Sequence, residues 1–103
     1  MQLLIKLYSD SLKSFSATLP ANIRNRYQFE LTLKDLKKYI HSTFKSPFNF
    51  EPKYQIIYIG TREGKLMRID GLRDLTILDE LGVQNGSLIH LLDQRLVKRA
   101  SKK

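Results

Sequence analysis

No cysteine occurs among the 103 residues, which removes disulfides, thiol catalysis, cysteine-ligated zinc and iron–sulfur clusters from consideration. Histidine is scarce: only His41 and His90 are present, so a metal site is not expected. No stretch approaches the ~18 apolar residues that a membrane-spanning helix requires. The opening MQLLIKLYSD lacks the basic start, long apolar segment and small-residue cleavage site of a signal peptide, which leads to the expectation of a cytoplasmic or nuclear protein. Also missing are a nucleophile elbow, a glycine-rich phosphate cradle and any cluster of carboxylates. The chain is therefore expected to be no enzyme and to need no cofactor.

What is present suits one domain with one core, since 103 residues at 42% hydrophobic content would leave two cores each marginal. The net charge is +8, but it is unevenly spread. Arg95, Lys98, Arg99, Lys102 and Lys103 follow the last acidic residue, Asp93, and leave thirteen basic against ten acidic residues, a net +3, for residues 1–94. Residues 1–94 are read as the domain and residues 95–103 as a basic, flexible tail.

The pattern of side chains gives an element order. Residues 1–8 alternate as a half-buried strand, and Leu12 to Leu19 form a weaker strand stopped by Pro20, with Ala21 to Tyr27 a loop. Thr32 and Asp35 have the spacing of a capping box, Leu31 and Leu36 that of a hydrophobic staple, and Leu33, Leu36, Ile40 and Phe44 recur on one helical face. Pro47 limits that helix. Tyr54 to Gly60 reads as a central strand with two apolar faces, Tyr54, Ile56 and Tyr58 on one and Gln55, Ile57 and Ile59 on the other. A short strand over Leu66 to Ile69, an irregular stretch stopped at Gly82, an Asn85-Gly86 turn and a last strand over Ser87 to Leu92 complete the chain. The fold class is α+β: a mixed sheet of four to five strands with one helix packed across it and the first and last strands side by side in the middle.

In that order, the chain resembles the ubiquitin-like β-grasp superfamily over about residues 1–94. Ubiquitin opens MQIFVKTL where this chain opens MQLLIKLY. Its helix begins TIENVKAKI against TLKDLKKYI here, its third strand reads QRLIFAG against YQIIYIG, and its last strand STLHLVLRL against SLIHLLDQR. Two departures matter. The region between the first strand and the helix is longer, and the paired glycines through which ubiquitin is conjugated are replaced by Val97 and Lys98. The resemblance therefore implies a divergent member that is not attached to targets.

Ubiquitin binds partners through an apolar patch on its outer sheet face with a histidine at the edge. Carried onto this chain, the resemblance gives Ile57, His90 and Leu92, with Tyr8 beside them, as partner-binding residues; Leu4 and Leu88 add apolar area on neighbouring strands. Ile57 is expected to look outward and Ile56 and Tyr58 toward the helix. The implied function is a non-conjugated protein-interaction domain of the ubiquitin pathway, which docks partner helices, ubiquitin receptors or proteasome-type adaptors. Two alternatives stay open: the loop from Ala21 to Tyr27 could fold over the same face, and the tail Arg95, Lys98, Arg99, Lys102 and Lys103, with Lys34, Lys37 and Lys38, could bind nucleic acid as part of a ribonucleoprotein.

Overall fold

The computed structural model describes residues 1–8, 12–13, 15–24, 30–44, 50–61 and 63–95. They form strands β1 (Gln2–Tyr8), β2 (Phe15–Asn22), β3 (Gln55–Gly60), β4 (Leu66–Arg68) and β5 (Leu88–Asp93), and helix α1 (Leu33–Thr43). The sheet order is β2-β1-β5-β3-β4. Strands β1 and β5 run parallel at its centre and the other pairs are antiparallel. This is the expected α+β arrangement, with the first and last strands as neighbours.

Alternation in β1 sends Leu3 and Ile5 into the core. Their counterparts Ile89 and Leu91 on β5 and Ile57 and Ile59 on β3 join them under Leu33, Leu36 and Ile40 of α1. The helix starts as its sequence dictates. The Asp35 carboxylate accepts from the Thr32 backbone N–H at 2.9 Å, and Thr32 Oγ1 accepts from the Asp35 N–H at 3.4 Å, so two N–H groups that a helix start leaves unsatisfied are paired. The segment before β5 is pinned to this end of the helix: the N–H groups of Leu33 and Lys34 donate to the carbonyls of Thr76 and Asp74. Lys37 Nζ donates to the Asp70 carbonyl at 2.9 Å and sits 3.2 Å from Asp74 Oδ1.

Two expectations are corrected. Strand β2 does not stop at Pro20 but runs through it to Asn22, which is tolerated because β2 is an edge strand, where a missing N–H need not break an interior ladder. Ala21 and Asn22 are consequently strand and not loop, while Ile23 lies just past the strand end; Ala21 and Ile23 are both buried in the main core, and Ile23 N–H donates to the Met1 carbonyl at 2.8 Å. They pack beneath the sheet rather than over its outer face, while residues 25–27 of the expected covering loop lie outside the described residues.

The second correction concerns β3, whose faces are the reverse of those expected. Ile57 has no exposed surface and pairs with the equally buried Leu91, whereas Ile56 and Tyr58 face away from the helix with Leu92. A shift of one residue exchanges all side chains between the faces of a strand, and hydrophobicity alone barely distinguishes the two sets here. Gln55 supplies a polar reason for the observed phase. Its side chain lies inward, where Nε2 donates to the carbonyls of Lys37 (3.0 Å) and Phe50 (3.1 Å), joining β3 to the helix and to the chain just before it.

Candidate protein-binding face

Strand pairing sorts the outward side chains into three rows. In the first, Leu4 stands between Pro20 of β2 and Leu88 of β5, and Gly60 of β3 is paired with Leu66 of β4. Leu4, Leu88 and Leu66 are 42%, 37% and 43% exposed, far above what residues of their type show in a core. In the second row, Lys6 pairs with Thr18 and His90, and Tyr58 with His90 and Arg68. The third row, Tyr8, Leu92 and Ile56, forms a separate apolar cluster against which Tyr58 packs. Its members are no more than 6% exposed.

The six residues anticipated as partner-binding thus part company. Leu4 and Leu88 are accessible and adjacent. His90 is half-buried beside them. Leu92 and Tyr8 do lie on the outer face but are closed off from solvent, and Ile57 sits in the main core, where no partner can touch it without unfolding β3. Tyr58, across the ladder from His90, occupies the outward position on β3 that had been assigned to Ile57. Leu66 was missed altogether. Period-two alternation places it on one face with Arg68, but a three-residue strand gives no sequence signal for which face that is.

The polar row is held in place by specific bonds. The Tyr8 hydroxyl lies 2.6 Å from His90 Nδ1, and the two rings are tilted at 30° with centroids 5.7 Å apart. Burial above all, and then the Lys6 ammonium, hold the His90 pKa below the usual histidine value of 6.5, so the neutral ring that can accept the hydroxyl proton is favoured. Arg68 Nε donates to Asp70 Oδ1 at 2.9 Å, and its Nη2 to Oδ2 at 3.0 Å. The same Asp70 Oδ1 accepts from the Ile57 N–H at 3.0 Å, so the carboxylate that orients Arg68 also completes the β3 edge.

The cations proposed for nucleic acid are more dispersed. Arg95 grips Asp93 through Nη2 at 2.7 Å and Nε at 3.0 Å and lies 4.2 Å over the Tyr54 ring, an arrangement that uses its charge within the fold. Lys98, Arg99, Lys102 and Lys103 lie outside the described residues. On the helix, Lys37 is engaged with Asp74 while Lys34 and Lys38 are exposed. No three metal-binding side chains converge among the described residues, and no described helix is long and apolar enough to cross a membrane.

No family model and no curated protein matches the sequence. Solved structures do match the fold. The C-terminal ubiquitin-like domain of mouse tubulin-specific chaperone e is similar at a TM-score of 0.61 and 17% identity, over 90% of this chain and 84% of that one. The ubiquitin-like domain of PLXNC1 gives 0.57 and 12% over 90% and 99%. Trypanosoma brucei tubulin-binding cofactor B gives 0.50 and 13% over 91% and 96%. Identities this low speak for the fold and not for a shared activity. With five strands in the order described and one helix across them, the chain has the ubiquitin-like β-grasp fold, in a sequence that differs widely from those of these domains.

Proposed function

We propose that this chain is a non-conjugated protein-interaction domain that receives a partner's helix on the outer face of its sheet. The observation that carries the reading is the pair Leu4 and Leu88, opposite each other on the two central strands and both open to solvent. An apolar pair on a rigid sheet, extended by Leu66 and edged by Lys6, His90 and Tyr58, matches what an amphipathic helix presents. Because more than half of each leucine is already covered, burying the rest contributes about 1 kcal/mol apiece before the costs of association, so two or three anchors give a weak, reversible contact. The missing Gly-Gly supports a role as a docking module rather than a modifier.

The test is a titration of isotopically labelled protein with a helical peptide of the ubiquitin-receptor kind. Two of the structural neighbours named above come from proteins named for tubulin, so tubulin is the second probe. Resonance changes centred on Leu4, Leu88 and His90, lost in Leu4→Ser, are expected. Changes elsewhere, or unaltered affinity in Leu4→Ser and Leu88→Ser, would overturn the assignment of this face.

A further inference from the structure

The segment between β4 and β5 carries two leucines that the fold does not use. Leu72 and Leu75 are 41% and 78% exposed. They stand in consecutive turns, the first closed by the Leu72 N–H on the Ile69 carbonyl and the second by the Thr76 N–H on the Arg73 carbonyl. Turn tips favour glycine, asparagine, aspartate and serine, so the backbone gives no reason for a leucine at position 75. Its setting is nonetheless fixed. The carbonyls of Asp74 and Thr76, on either side of it, accept from the first N–H groups of α1 at 2.9 and 2.8 Å, which ties the chain to the helix and leaves the Leu75 side chain in solvent. One exposed leucine would need no explanation. Two on one anchored loop form an apolar prong.

Charge decides what this prong suits. The acids of the loop are already matched, Asp70 by Arg68 at 2.9 Å and Asp74 by Lys37 at 3.2 Å. Asp79 and Glu80, further along, line a polar groove beside Gly60 and Gly82. Lys34, Lys38 and Arg73 are exposed, and no ion pair engages them among the described residues. Arg73 stands between the two leucines, Lys34 is bonded to the loop through its N–H, and Lys38 follows Lys34 one helical turn later on the same face. Cations thus flank a convex apolar tip. A side chain as exposed as Leu75 sits in no groove and is covered only by something that closes around it. The boundary between acyl chains and headgroups in a bilayer does so, while its phosphates meet the cations. We infer that the loop 72–75 is a membrane-surface contact, which inserts Leu72 and Leu75 into an anionic phospholipid leaflet and sets Arg73, Lys34 and Lys38 against the headgroup phosphates. The contact lies against α1 and not on the outer sheet face, so it stands or falls apart from the docking of a partner helix.

The chain contains no tryptophan, so Leu75→Trp places a single fluorophore at the tip and Leu88→Trp places one on the outer face for comparison. Each full chain is titrated with vesicles of phosphatidylcholine alone and of phosphatidylcholine mixed with phosphatidylserine. The emission of Leu75→Trp is expected to shift to the blue on the mixed vesicles and to be quenched by brominated acyl chains, with little change on the neutral ones. Leu88→Trp should change on neither. In co-sedimentation with the mixed vesicles, Leu75→Ser, which alters no charge, is expected to bind about tenfold more weakly than the native chain, and Arg73→Gln and Lys34→Gln about fivefold more weakly each. Unchanged binding in Leu75→Ser would assign the adhesion to charge alone, that of the basic tail included, and would overturn the inference. An unshifted Leu75→Trp spectrum on both kinds of vesicle would overturn it as well, and equal shifts on both would overturn the role given to the cations.

Discussion

Tyr8 and His90 are joined across 82 residues of sequence by a 2.6 Å contact between the phenolic oxygen and Nδ1. The pair ties the closed apolar row, to which Tyr8 belongs, to the polar row that borders the exposed leucines. His90 is therefore both a border of the docking face and a support for the cluster beneath Tyr58.

Acidification should expose this dual role. Because burial and Lys6 hold the folded-state pKa of His90 below 6.5, the unfolded chain takes up that proton more readily than the folded one. The contribution is then neutral above the ordinary histidine value, and stability is lost as the pH falls below it. Urea midpoints should drop between about pH 7 and pH 5.5, and the drop should be smaller in His90→Gln. An NMR titration in which the His90 midpoint lies at or above 6.5 would contradict the account.

Core and face can be separated by paired substitutions. Ile57→Ala removes a wholly buried side chain and is expected to cost about 2–5 kcal/mol, read as a large fall in denaturation midpoint. Leu4→Ala, on the exposed row, should stay within about 0.5 kcal/mol. Comparable midpoints for the two would mean that the phase of β3 described above is wrong.

The capping box offers a local test. Thr32→Ala removes the Oγ1 that accepts from Asp35 and should cost about 0.5–2 kcal/mol, whereas Thr32→Ser keeps the oxygen and should stay near native. Thermal unfolding of the two variants side by side distinguishes loss of the cap from loss of the threonine methyl.

Gln55→Leu keeps an inward side chain of similar length but withdraws the donor shared by the Lys37 and Phe50 carbonyls. A loss of about 1–3 kcal/mol is expected. Faster amide hydrogen exchange around Phe50 and Gln55 than in native protein would locate that loss at the joint between helix and strand.

How much of this was legible in the sequence depended on how local the deciding interaction is. The helix start was readable because Thr32 and Asp35 need only each other. The stop at Gly82 was readable because its φ of 88° is one that glycine adopts without penalty. The central pairing of β1 with β5 was readable from the order of the elements. The phase of β3 was not readable: Ile56 and Tyr58 against Ile57 and Ile59 is nearly a tie in hydrophobicity, and Gln55, the one polar member, lies inward because of carbonyls supplied by Lys37 and Phe50. Nor could alternation reveal that Leu92 and Tyr8, though outward, are closed to solvent while Leu4 and Leu88 are not. Only the layout of neighbouring strands decides that.

Pro20 lies within β2 at one border of the sheet, and β4, at the other, is three residues long. Proline brings no N–H to the outside of its strand, and so short a strand offers little main chain to copy, so each flank is a poorer template for the pairing of further chains than an unbroken edge. These two features blunt the borders of the sheet against edge-to-edge pairing. Leu4 and Leu88, left uncovered on its broad surface, thus stand away from edges that are blunted rather than open.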